Sequence, residues 1–242
     1  MIPISEALEI IVRETPSLKL ETVDLTNSIG RILAEDIFAD SDLPPFDRSQ
    51  MDGFAVKSED VQNVPRKLKI VGESVAGKRW QGELKSGEAV RIMTGAALPI
   101  GADSVQKVEV TKESDGFIKI LEPTKAGQFF VKKATEITKG TKVFEKGEVI
   151  TKKMIATLAS FGYAKIKVYQ RPTISILATG SELVSINEIP NEDGIRDSNS
   201  ATLKAFAEKF AKIENVELIK DDLETLKSKI KNQKSKITIL TG

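Results

Sequence analysis

Residues 173–182, TISILATGSE, decide the fold class. Thr173 to Ala178 is a continuous apolar strand, and it opens a stretch whose period differs from what precedes it. Ser198 to Ala211 reads as a helix with Leu203, Phe206 and Phe210 facing inward. Val216 to Ile219 is a second strand, Leu223 to Ile230 a second helix, and Ile237 to Leu240 a third strand. This β-α-β-α-β order predicts a parallel sheet with crossover helices. Ligands of such sheets bind outside the carboxyl ends of the strands. Those ends carry Thr179-Gly180-Ser181-Glu182, Asp221-Asp222 and Thr241-Gly242: turn formers, anion-contacting groups and carboxylates. The third strand reaches its loop at Gly242, so the chain is expected to be a fragment of a longer polypeptide.

Working outward, Arg171-Pro172 marks a junction. Before it, Ala164, Ile166 and Val168 alternate as a strand. A helix capped by Thr151 lines Met154, Ile155, Leu158 and Phe161 on one face and ends at Gly162. From 54 to about 130, short alternating strands broken by glycines predict a small barrel or twisted sheet. Near the start, Ser5 is expected to cap a helix bearing Ala7, Leu8, Ile11 and Val12, and Leu20, Val23 and Leu25 alternate as a strand. Residues 29–34, around Gly30, fit a short helix or a strand equally. Residues 42–56, DLPPFDRSQMDGFAV, are denser in signals than core packing requires. Pro44 and Pro45 enforce an extended approach, and Met51-Asp52-Gly53 reads as a tight turn in which Gly53 takes φ > 0. A carboxylate on a stiff turn between extended segments is well placed to meet a ligand. Asp52 as a plain turn former is the competing reading.

Composition narrows the chemistry. With 36 basic and 35 acidic residues the net charge is +1, which argues against a general nucleic-acid binder or a membrane-surface protein. No apolar run has bilayer-spanning length, and the acidic amino end lacks the basic region of a secretory signal. The sequence has no cysteine and no histidine. Thiol nucleophiles, disulfides, imidazole bases, Ser-His-Asp triads and His or Cys zinc sites are therefore all excluded. What remains is carboxylates, Lys and Arg, hydroxyls, backbone N–H groups and a hard cation such as magnesium. A cytosolic address agrees with the absence of cysteine.

These residues resemble the molybdopterin molybdenumtransferase (MoeA) family, to which the E domain of gephyrin is related. DLPPFDRSQMDGFAV is similar to the family's Asp-x-Pro-x-Phe…Ser-x-Met-Asp-Gly-(Phe/Tyr)-Ala-Val segment. Arg91-Ile92-Met93-Thr94-Gly95-Ala96 with Pro99 and Gly101-Ala102-Asp103 resembles its second signature. Ala178-Thr179-Gly180-Ser181-Glu182-Leu183 resembles its Ser-Thr-Gly-Asp-Glu-Leu, and Ile195-Arg196-Asp197-Ser198-Asn199 its Ile-x-Asp-Ser/Thr-Asn. The motifs keep their order along the whole chain.

The resemblance implies an α/β multi-domain fold. Residues 1–40 with 134–170 would form an elongated linker and dimerisation domain, and 41–133 a β-rich, barrel-like one. Residues 171–242 would form an incomplete molybdopterin-binding α/β domain like that of MoaB and MogA. It also implies a cytoplasmic homodimer that inserts molybdate into adenylylated molybdopterin, with Mg2+, releasing AMP, and that meets other molybdenum cofactor assembly proteins. By motif position, Asp52, Thr94, Glu182 and Asp221 would be catalytic, with Glu182 and Asp221 holding the metal. Thr179, Gly180, Ser181, Asp197, Ser198 and Asn199 would contact the pterin substrate. Bland readings stand beside these: Thr94 as a satisfied strand-end hydroxyl, Asp221 as the cap of the helix from 223, Ser198 and Asn199 as caps.

The sequence departs from the family in two places. Within Gly127–Ile137, the family's Arg, Gly and Asp positions hold Val131, Ala134 and Glu136, and position 181 is Ser where the family has Asp. The family's later segments are absent, so the polypeptide by itself is expected to be inactive. A dimeric scaffold without catalysis is the alternative. A lone phosphate-binding α/β unit is a third reading, which leaves residues 42–56 unexplained.

Overall fold

In chain order the elements begin with α1 (Ile4–Glu14), β1 (Leu20–Asp24), β2 (Ile37–Phe38), β3 (Arg48–Ser49), β4 (Gly53–Val56) and β5 (Arg66–Ser74). There follow β6 (Glu88–Ile92), β7 (Ser104–Lys107), β8 (Thr111–Ser114), β9 (Phe117–Ile120), β10 (Phe130–Val131) and β11 (Lys142–Phe144). Next come α2 (Met154–Ser160), β12 (Lys165–Tyr169), β13 (Thr173–Thr179), β14 (Leu183–Val184) and β15 (Ile195–Arg196). The last elements are α3 (Ser198–Ala207), β16 (Lys212–Ile219), α4 (Leu223–Lys231) and β17 (Ile237–Thr241). This computed structural model describes residues 2–15 and 17–242. They form two units, one of Phe38–Val143 and one of the residues before and after it.

In the inserted unit a mixed six-stranded sheet runs in the order β7-β4-β6-β5-β9-β8. Only β5 and β6 are parallel, with a bulge between Ile70 and Gly72. All four residues of β4 are buried, because alternate side chains serve opposite faces of a central strand. Phe54 and Val56 join Val61, Leu68, Ile118 and Ile120 on one side, whereas Ala55 joins Leu84, Val90, Ile92 and Val105 on the other.

In the other unit β1 pairs antiparallel with β12, whose Ile166 and Val168 are fully buried. Residues 29–34 form neither helix nor strand. Gly30 turns at φ 76°, and Ile32 and Leu33 make isolated bridges to Val149 and Val168. Two capping expectations are corrected. Ser5 lies inside α1, which starts from Pro3 with no side-chain cap, and α2 starts after Lys153 rather than from the Thr151 hydroxyl. Gly162, at φ 78°, does end α2.

The parallel sheet is present, in the order β16-β13-β17. β13 lies between two parallel neighbours, which is why Ile174 to Ala178 are all buried. The inward face of α3 differs from the sequence reading. The helix ends at Ala207, and Phe206 and Phe210 are 62% and 57% exposed. Leu203, Ala207 and Ala211 recur every four residues and meet Ile174, Ile176, Ile213 and Ile239. Small side chains there let the helix approach the sheet closely, leaving the bulkier phenylalanines one helical step round, outside the seam.

Candidate active site

In the inserted unit, Asp52 precedes β4 and Thr94 follows β6, and the pairing of those strands brings the two together. Asp52 Oδ1 accepts from the Thr94 backbone N–H at 2.6 Å and from its hydroxyl at 2.8 Å. The Thr94 backbone N–H, then its hydroxyl, hold the Asp52 carboxyl below its ordinary 3.8. The result is an exposed, ionised carboxylate fixed through one oxygen, with Oδ2 unpartnered among the described residues. Thr94 is thus satisfied, as the bland reading held, and its partner is the aspartate that the motif singles out.

Gly53 takes the positive φ read in the sequence, 159°, and has a second role besides. A Cβ there would lie 2.0 Å from the Gln106 carbonyl oxygen. The glycine lets β7 pass close to Asp52, and the Asp52 carbonyl accepts from Val108 N–H at 3.1 Å.

In the other unit, the carboxyl ends of all three parallel strands lie in register. Thr179 pairs with Ile219, Ala178 pairs with Thr241, and Gly180 N–H reaches the Ile219 carbonyl at 3.2 Å. Gly180 begins a tight return, where a Cβ would sit 2.8 Å from Glu182 Oε1. Thr179, Gly180, Ser181, Glu182 and Asp221 therefore occupy one end of one sheet. A short parallel ladder, Leu183 with Ile195 and Val184 with Arg196, brings the start of α3 to the same loop.

The helix starts resolve the capping alternatives. Asp197, 7% exposed, caps α3 by accepting from Ser200 N–H at 2.9 Å, so Ser198 and Asn199 are exposed first-turn residues. Asp222 caps α4, accepting from Thr225 N–H at 2.8 Å, and the Thr225 hydroxyl and N–H lower its pKa. Asp221 is exposed and is not the cap.

Sequence reasoning missed a hollow of about 460 Å³ beside α3, where Asp197, Ser200, Ala201 and Lys204 face Val216 and Leu218 of β16. The three- and four-residue spacing from Asp197 to Lys204 was the available signal. Among the described residues no group of three or more Asp or Glu could hold a metal ion.

Comparison with known proteins decides the family. Residues 2–162 match the family model of the MoeA N-terminal region, domains I and II. The chain belongs to the MoeA family. A curated molybdopterin molybdenumtransferase from Staphylococcus aureus is 39% identical over 248 aligned positions, covering 100% of this chain and 59% of the relative. One from Staphylococcus epidermidis is 38% identical, covering 86% of this chain and 51% of the relative. Among solved structures, a MoeA molybdopterin biosynthesis protein from Pyrococcus horikoshii superposes with TM-score 0.87 at 33% identity, over 99% of this chain and 63% of that one. The chain thus spans roughly three fifths of the length of the MoeA relatives it matches. A molybdenum cofactor biosynthesis protein from Pyrococcus furiosus, 18% identical with TM-score 0.53, shares the fold alone.

Proposed function

We propose that the protein acts in molybdenum cofactor biosynthesis, inserting molybdate into adenylylated molybdopterin with release of AMP. The observation that carries this reading is the similarity along all of the chain, at 39% identity, to proteins named for molybdenum transfer. The side chains suit such substrates. Asp52 is held ionised with one oxygen unspent, and Glu182, Asp221 and the hydroxyls of Thr179 and Ser181 gather at the carboxyl end of the parallel sheet.

Magnesium fits as an ion shared with substrate, since it is usually bound by one or two carboxylates plus substrate phosphates. Glu182 and Asp221 would hold it, and it would neutralise phosphate charge. Thr179, Gly180, Ser181, Ser198 and Asn199 would meet the pterin substrate, and Asp197 would position the last two by capping their helix. In this reading residues 41–133 present Asp52 and Thr94, and 171–242 hold the pterin. Residues 1–40 with 134–170 serve a cytoplasmic homodimer that meets other cofactor-assembly proteins. An unburied apolar face on α1 supports the dimer: Ile4, Leu8, Ile11 and Val12 are 82%, 57%, 59% and 77% exposed.

The test is complementation of a molybdenum-cofactor-deficient strain with this chain and with the chain extended to the length of its relatives. Rescue by the extended protein that is lost in Asp52→Ala, with folding intact by circular dichroism, is the expected result. Failure of the extended protein to rescue at all would instead favour the scaffold reading, and full rescue by Asp52→Ala would remove Asp52 from the catalytic groups.

A further inference from the structure

A second hollow, of about 480 Å³, lies at the other end of the parallel sheet. Thr173 and Lys212, the first residues of β13 and β16, form one wall, and Glu21 of β1, Arg31 and Arg171 form another. β13 runs seven residues from Thr173 to Thr179, so at the usual rise the hollow lies about 20 Å from Thr179.

Its charge is one-sided. Arg31 pairs with Glu21 and donates from Nη2 to the Tyr169 carbonyl at 2.7 Å, so those two charges cancel. Arg171 and Lys212 are exposed and have no carboxylate partner among the described residues, leaving two positive charges facing one cavity. Its lining residues carry neutral and unpaired donors as well. The Arg31 side chain is only 11% exposed, and its Nε–H is buried without an acceptor. A buried donor left unmade is costly, so an acceptor in this hollow would be stabilising. The Thr173 hydroxyl accepts from Lys236 N–H at 3.0 Å, which leaves its own proton to donate. The Gln170 side chain adds an amide to the lining.

We propose that this hollow binds a tetrahedral dianion, either a free oxyanion or the terminal phosphate of a small phosphorylated molecule. Two uncompensated cations and several neutral donors around a small cavity match that ligand's charge and acceptor set. The site is separate from the carboxyl-end groups and does not depend on the proposed reaction. A bound anion would link the Arg31 turn and Arg171 to the amino ends of the sheet, and so stabilise the fold in proportion to its occupancy.

Isothermal titration calorimetry of the full chain at constant ionic strength tests this, with inorganic phosphate, ribose 5-phosphate and chloride. Phosphate is expected to bind at one site, chloride not. The double variant Arg171→Gln, Lys212→Gln should lose at least about tenfold in affinity, since each charged hydrogen bond is worth that factor or more. Both side chains are exposed and without a carboxylate partner among the described residues, so its melting temperature without anion should stay at the parent value. Glu182→Gln should keep the parent affinity. Tighter binding of ribose 5-phosphate assigns the site to a phosphorylated molecule, and equal or weaker binding assigns it to a free oxyanion. Absence of phosphate binding, or undiminished binding by the double variant, would overturn the proposal.

Discussion

The inserted unit and the parallel-sheet region are built from similar strands but bury them differently. In Phe38–Val143 both faces of the sheet are covered, with Phe54, Leu68, Ile92, Ile118 and Ile120 essentially inaccessible. Around β13, Ile174, Ile176, Ala207 and Ala211 form a small buried cluster, and Leu177, Ala178 and Ile219 are buried beside it. Phe206, Phe210, Leu223, Ile230, Ile237 and Leu240 keep from 40% to 64% of their surface in solvent. Burial of apolar area is the main stabilising term, at about 25 cal/mol per Å². The same density of apolar residues therefore holds one region more firmly than the other, and the region carrying Asp52 and Thr94 is the firmer.

The contrast can be broken most sharply at Gly53. A Cβ there meets backbone, the Gln106 carbonyl, so no side-chain rotation relieves Gly53→Ala. A loss of about 3 kcal/mol or more is expected for the inserted unit, read by urea denaturation. Ile176→Ala should cost the parallel sheet about 2–5 kcal/mol through its cavity. Because that region starts from fewer buried contacts, hydrogen exchange should show it opening below the denaturant concentration that opens β4 to β9. Simultaneous exchange of both would remove the distinction.

Smaller changes sharpen it. Ala134 sits at φ 62°, a left-handed conformation costly for any residue with a Cβ, at the position where the family's pattern has glycine. Ala134→Gly should therefore stabilise the inserted unit, by about 0.5–1 kcal/mol after glycine's own entropy is counted, visible as a raised melting temperature. The smallest effect is in pH dependence. Asp52 and Asp222 both have lowered folded-state pKa values, so their stabilising bonds are complete above the ordinary 3.8 and vanish as pH falls through the folded values. Thr94→Val should raise the Asp52 pKa only part of the way, because the larger cause is the backbone N–H, which the variant keeps. Carboxyl chemical shifts followed by NMR would show a full return to 3.8 if that ranking of causes is wrong.

Much of the candidate site was legible. The Met-Asp-Gly turn and the strand-end Thr-Gly-x-Glu stand out because tight turns and strand termini need particular residues, and the parallel topology follows from alternating periods. The capping roles were less legible. Asp197 and Asp222, rather than Ser198, Asn199 or Asp221, take the caps, because a shift of one residue in a helix start reassigns them. The inward face of α3 was misread through Phe206 and Phe210, since hydrophobicity alone does not reveal that alanines give the closer approach to a sheet.

The sequence by itself determined the element order, the exclusion of thiol and imidazole chemistry, and the family, because those depend on residue identity and local spacing. Only the tertiary structure decided that Asp52 is locked to Thr94, that Gly53 is required by a passing strand, and that Arg171 and Lys212 share a cavity with Arg31. Each of these joins residues distant along the chain, and strand register, which no local pattern encodes, is what brings them within reach.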